Sequence, residues 1–339
     1  MSYCMTNPKY LNDFIHYIAI VSALASAAFV LNNFLTYIFN LPGLYGFLNY
    51  FGTNFDFPDR DYSFFQVAIG SLQSLSYIAA LLLPVFIVIK VDSGKRISTG
   101  MNFGAELIVA SAFWSVMLIG IADAAISFVR IENMLPGIVG EDLALSLGKP
   151  AFRGVYVHLP LMLIGVIIGS LRRGIDFIWL ASLIVFGELL IVITRFIFSY
   201  EQAFMGDLVR FWYAALFLFA SAYTLVNDGH VRVDVLYAGF SNRKKAVVNV
   251  YGSLILGLPL CWITLSRGLW SESSPFNLAL LNFEVTQQGF GMYVKYLMSG
   301  FLIVFALAML FQFASFIINE LNKLEQTDEQ NEPASEKVA

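Results

Sequence analysis

The sequence predicts an all-α fold, a polytopic membrane bundle of about eight transmembrane helices with both termini cytoplasmic. Two observations predict it. The 339 residues are 58% hydrophobic and only 13% charged, with a mean hydropathy of +0.71, whereas soluble domains carry about 25% charged residues. The apolar residues also fall into runs near the ~20-residue length that crosses a bilayer as a helix, separated by polar connectors.

The runs lie at about 14–39, 64–90, 105–129, 155–171, 177–198, 207–226, 246–266 and 297–319. The first contains Ala23-Leu24-Ala25, which superficially fits a signal-peptidase site. It is longer than a secretory apolar region and is preceded by one cation, Lys9, so a retained helix is expected. The fourth run is short and carries Pro160 near its start, which leaves a tilted or re-entrant segment open. Pro259 in the seventh removes a backbone donor and is expected to kink that helix.

Cations set the expected orientation. Lys90, Lys95 and Arg96 follow the second run, Arg172 and Arg173 the fourth, and Arg232, Arg243, Lys244 and Lys245 the sixth. On the opposite side, Asp56, Asp59 and Asp61 surround a single Arg60, and Glu201 and Asp207 follow the fifth run. The third connector is the weakest case, with Arg130, Lys149 and Arg153 against Glu132, Glu141 and Asp142. The outer segment 271–295 reads either as an interfacial helix or as an ordered loop packed on helix ends. Beyond 322 the composition turns acidic and polar, so 323–339 is expected to be a disordered cytoplasmic tail.

The formal net charge of −4 offers nothing to nucleic acid. Cys4 and Cys261 suggest neither a disulfide nor a thiolate metal site. The chain lacks a phosphate-cradling glycine loop, a His-Glu-x-x-His helix and a nucleophile elbow, so no enzyme is expected and no cofactor is called for. His16, His158 and His230 fall at different expected depths, which disfavours a haem pair and leaves each as an interfacial or hydrogen-bonded structural histidine.

Two acids interrupt the spans. Glu188 sits at the midpoint of the fifth and Asp123 in the outer half of the third, where an ionised acid costs about 2.5–3.5 kcal/mol at a helix centre. Each precedes an arginine by seven residues, Arg195 and Arg130. That spacing shares a face but separates the pair by ~10 Å along the axis. Partners from other helices, or protonation, must meet the cost. The acids are either an ion or proton site or interhelical hydrogen bonds that fix packing. Asn32, Asn33, Ser111 and Ser115 form no recognisable cluster, while Gly70, Gly120, Gly165, Gly169, Gly187, Gly252 and Gly257 are expected at close helix approaches.

The polar island Asp228-Gly229-His230-Val231-Arg232-Val233-Asp234-Val235-Leu236-Tyr237 between the sixth and seventh spans carries a resemblance. With its flanks it resembles the small integral-membrane subunit (DctQ type) of tripartite ATP-independent periplasmic (TRAP) transporters. Arg195-Phe196-Ile197-Phe198 resembles the family's Arg-aromatic-x-Phe at the end of its first helix. Phe204-Met205-Gly206-Asp207 and Arg210 stand where it has Trp-x-Glu-Glu followed by Arg, without the Trp and one acid. Lys295, Gly300-Phe301 and Gln312 fit its last helix, without the usual proline near the lysine.

The resemblance covers 176–322 and leaves 1–175 as an extra four-helix membrane region. A weaker alternative is internal duplication, since Asp13-Phe14-Ile15 echoes Asp176-Phe177-Ile178 and Asp92–Ile97 loosely echoes the polar island. What it implies is a non-catalytic scaffold in a bacterial inner membrane. Its partners would be a large elevator-type permease (DctM type), a periplasmic solute-binding protein (DctP type) and the lipid bilayer, serving sodium-coupled uptake of an organic, carboxylate-type solute. Asp228, Gly229, His230, Arg232, Asp234, Arg195, Asp207, Arg210 and Lys295 become subunit-interface or structural candidates. The alternatives are a self-sufficient carrier or channel using Asp123 and Glu188, or a membrane anchor for a redox enzyme.

Overall fold

A computed structural model describes residues 8–53, 62–90, 94–172, 177–200, 202–226, 235–285 and 291–331. It is all-helical, with no strand among the described residues. The long helices are α1 (Pro8–Tyr37), α3 (Phe64–Lys90), α4 (Gly94–Ile131), α8 (Leu159–Leu171), α9 (Phe177–Ile197), α10 (Ala203–Val226), α11 (Asn242–Gly252), α12 (Leu258–Leu269) and α14 (Lys295–Asn331). Short helices α2 (Gly43–Tyr50), α5 (Leu135–Val139), α6 (Glu141–Leu147), α7 (Pro150–Arg153) and α13 (Pro275–Leu281) lie in the connectors.

Seven helical stretches among the described residues are long and apolar enough to cross a membrane: Tyr10–Tyr37, Phe64–Lys90, Gly94–Ile131, Pro150–Leu171, Phe204–Ala222, Asn242–Leu269 and Lys295–Gln326. Helix α9, with 21 residues, occupies the place of the expected fifth span. At 1.5 Å per residue it is about 31 Å long, close to the ~30 Å hydrocarbon core.

Two of these stretches absorb a proline by the same device. A π turn, Gly154–His158, ends two residues before Pro160, and another, Ser253–Gly257, ends two residues before Pro259. A proline ring collides with the carbonyl four residues back and donates nothing to it. Widening the turn moves that carbonyl aside, so the helix carries on. The fourth span is therefore a 22-residue helix from Pro150 to Leu171. It reads as short in sequence because Arg153 interrupts the apolar run. Helix α14 likewise runs past the expected boundary at 322 and reaches Asn331, so the segment 323–331 is helical rather than disordered.

The chain divides into two compact units. One comprises Met1–Ala105, Leu225–Ser266 and Met309–Ala339, the other Glu106–Thr224 and Arg267–Ala308. In the first, α1, α2 and α3 pack together around a polar knot. Asn32 Nδ2 donates to the Gln73 carbonyl (3.3 Å) and to Ser76 Oγ (2.8 Å), and Gln73 Oε1 accepts the Gly43 amide at 3.0 Å. Asn32, which read as isolated, thus has its partners on the neighbouring helix. Ser98 and Ser315 donate reciprocally to each other's carbonyls at 3.1 and 3.0 Å, joining the start of α4 to the second half of α14.

In the second unit, α8 lies backbone to backbone on α4. A Cβ on Gly165 would meet the Ser115 amide at 2.5 Å, and one on Gly169 the Ser111 amide at 2.5 Å. Small residues four apart on both helices allow this approach. Gly252, expected among the packing glycines, faces open space instead. The centre is aromatic, with Phe301 of α14 stacked 5.1 Å from both Phe211 and Phe219 of α10.

Candidate functional site

The polar centre of the second unit is built on Asp123 of α4. Its side chain and that of Arg153 are both 0% exposed. Oδ1 accepts from Arg153 Nη1 at 2.8 Å and from His158 Nε2 at 3.1 Å, while Oδ2 accepts the backbone amide of Tyr293 at 2.8 Å. A carboxylate only accepts, so His158 carries a proton on Nε2, and its Nδ1 shares a hydrogen bond with Tyr296 Oη at 2.7 Å. The π turn is what brings Arg153 and His158 onto one acid, because it shifts the helix register between them.

Arg153 has three acceptors, Asp123 among them. Its Nε donates to the Leu147 carbonyl at 2.6 Å and Nη1 also donates to Ser127 Oγ at 2.9 Å. Nη2 has no hydrogen-bond partner among the described residues. The Tyr293 ring lies 4.4 Å from the guanidinium carbon, a cation–π contact that offsets part of that deficit. Arg130, seven residues beyond Asp123, goes to Tyr293 rather than to the acid. It donates to Tyr293 Oη and sits 4.7 Å from the ring centroid. Tyr293 Oη in turn donates to the Gly148 carbonyl at 2.9 Å.

A second acid repeats the arrangement one residue away. Asp207 Oδ2 accepts the Met292 amide at 3.1 Å, and its Oδ1 lies 3.6 Å from Arg210. Two carboxylates, from α4 and α10, therefore hold consecutive backbone amides of the buried segment that leads into α14. Lys295, the first residue of that helix, pairs with Glu284 at 2.6 Å.

The sequence reading placed Arg153 in a connector; the structure buries it at the start of the fourth span. That leaves the connector with Arg130 and Lys149 against Glu132, Glu141 and Asp142. His158 is the hydrogen-bonded histidine that was expected, but its bond is to an intramembrane acid. Tyr293 and Tyr296 were missed. Two tyrosines three apart ahead of an apolar run were the available signal, and nothing in them named Asp123.

Glu188 and Arg195 stand elsewhere. Both are exposed on α9, and Glu188 has no hydrogen bond or ion pair among the described residues. Gly187 turns the other way, toward Val209 of α10. Just beyond α9, Tyr200 and Gln202 both donate to Glu132, and that hydrogen bond raises the Tyr200 phenol above its ordinary range.

The polar island candidates Asp228, Gly229, His230, Arg232 and Asp234 lie outside the described residues. Its last residue, Tyr237, is described, and it starts a chain of contacts in the first unit. Tyr237 Oη donates to Asn249 Oδ1 at 3.0 Å, and Asn249 Nδ2 donates to Glu320 Oε2 at 3.0 Å. Glu320, nearly buried on α14, also pairs with Lys323. Lys245 Nζ lies 5.5 Å from the Tyr237 ring centroid. Downstream of the island, Ser241 caps α11 by accepting the Lys244 amide.

The geometry is that of a membrane bundle whose acids tie helices together, and the comparison with protein families agrees. The family described as tripartite ATP-independent periplasmic transporters, DctQ component, matches residues 170–321. No curated protein and no solved structure matches the chain. The matched segment takes in α9 to α14, with Asp207, Tyr237, Asn249, Tyr293, Tyr296 and Glu320, whereas Asp123, Arg153 and His158 precede it. The family is a transporter component and not an enzyme family. Residues 170–321 are thus a DctQ-component domain, and the chain is a multi-pass membrane protein with four further helices long and apolar enough to cross a membrane starting ahead of that domain.

Proposed function

We propose that this subunit is a fixed scaffold in a bacterial inner membrane, bracing a large elevator-type permease for sodium-coupled uptake of an organic carboxylate delivered by a periplasmic binding protein. The observation that carries the reading is the use made of Asp123. Both of its oxygens are engaged, by Arg153, His158 and a backbone amide, so the acid pins helices and is not free to take a cargo ion. A carrier that worked through Asp123 and Glu188 would need both acids on one path, and Glu188 lies on an exposed helix face. A haem anchor would need a free imidazole nitrogen, and His158 has both engaged.

In this reading the polar island, with Asp228, Arg232 and Asp234, is a cytoplasmic bracket toward the large subunit. The chain from Tyr237 through Asn249 to Glu320 supports it, because it fixes the end of the island to α14. Co-expression of the tagged chain with the large membrane subunit of its transporter tests the proposal. The two should copurify, and Arg232→Ala should weaken the complex. Failure of the wild-type chain to retain the large subunit would remove the scaffold reading, and an unaffected Arg232→Ala complex would reduce the island to a topological turn.

A further inference from the structure

Helix α9 is the first helix of the DctQ-component domain, and none of its described side chains is buried. Its inward side is marked by Gly187, whose Cβ position is 3.0 Å from Val209, and by Thr194, whose hydroxyl lies 3.8 Å from the Met205 sulfur. At about 100° per residue the opposite face carries Ile178, Val185, Leu189, Val192 and Phe196, all exposed. Glu188 and Arg195 run along one edge of that face.

Other exposed helix faces are of a different kind. Residues 64–89 of α3 and 159–171 of α8 include no charged side chain, as lipid contact requires. A carboxylate halfway along an apolar helix of bilayer length does not belong in hydrocarbon. Ionisable residues at that depth face protein or water and find a partner. Glu188 has none among the described residues of its own chain, which leaves it open to a partner from another.

We infer that the Val185–Val192 face of α9 is a docking surface for the large membrane subunit, and that Glu188 receives a basic side chain of that subunit at mid-membrane depth. The inference rests on the scaffold reading, and charge complementarity selects the occupant. A second copy of this chain would present the same acid across a symmetric contact, and lipid chains would present nothing.

The test uses the full chain co-expressed with its large subunit. A photoreactive phenylalanine analogue at Val185 or Val192 should give an adduct with the large subunit, and one at Ile167 on α8 should not. Glu188→Gln should lower the amount of large subunit retained by roughly tenfold or more, while Glu188→Asp keeps most of it. Adducts with a second copy of the chain or with lipid only, or an unchanged yield with Glu188→Gln, would overturn the inference. The adduct experiment keeps Glu188 in place and decides the matter should Glu188→Gln misfold. Copurification without α9 adducts would sink this inference alone, whereas loss of copurification by the wild-type chain would sink the scaffold reading with it.

Discussion

Asp123 accepts the backbone amide of Tyr293, 170 positions along the chain, at 2.8 Å. The bond joins a helix ahead of the DctQ-component domain to the residue two places before that domain's last helix. Through it α4 is tied to the domain within the second unit. Asp123→Asn should therefore destabilise the whole second unit. It leaves Arg153 buried without its counter-charge, at a cost of about 3–5 kcal/mol. A detergent-solubilised thermal melt should fall clearly, and adding Arg153→Met should recover part of the loss, because removing both charges removes the unpaired one.

Asp207 makes the neighbouring bond to Met292. Asp207→Asn keeps a carbonyl oxygen that can accept this amide, and Asp207→Ala does not. The alanine variant should be less stable than the asparagine variant by about 1–2 kcal/mol, measured by the same melt.

Gly165 and Gly252 separate packing glycines from idle ones. Gly165→Val would drive a side chain into the Ser115 backbone, where no neighbour can yield, and should sharply lower the yield of monodisperse protein. Gly252→Ala meets nothing and should be neutral or stabilise by roughly 0.5–1 kcal/mol, the usual helix-interior gain.

Asn249 is the middle of the contact chain from Tyr237 to Glu320. Asn249→Leu should remove both the bond from Tyr237 and the bond to Glu320. Hydrogen exchange at 237–240 should then speed up while exchange at 211–219 stays unchanged. Equal protection in the variant would mean that Tyr237 is held by something else.

These outcomes also mark what the sequence could convey. Spanning helices were legible because a bilayer demands long uninterrupted apolar runs, and the polar island was legible because its charges cluster between two such runs. Partners were not. Arg153 read as a connector charge because hydropathy counts a cation against a span, whereas three-dimensional neutralisation by Asp123 lets it sit inside one. Asp123 met the expectation of partners from other helices, yet those partners come from positions 30 and 170 residues away, and a single sequence has no register for such distances. Pro160 and Pro259 announced irregularity, and the π turns before them are the form it takes. In the outer segment α13 is helical, and its buried Asn277 donates to the Leu269 carbonyl at 3.2 Å.

The central claim is that this chain braces a transporter and moves nothing by itself. Reconstitution into proteoliposomes tests it most directly, with uptake followed under a sodium gradient for the solute that the cognate binding protein carries. The account predicts no uptake by the isolated chain, and uptake when the large subunit and the loaded binding protein are both present. Gradient-driven uptake by the isolated chain, abolished by Glu188→Gln, would contradict it.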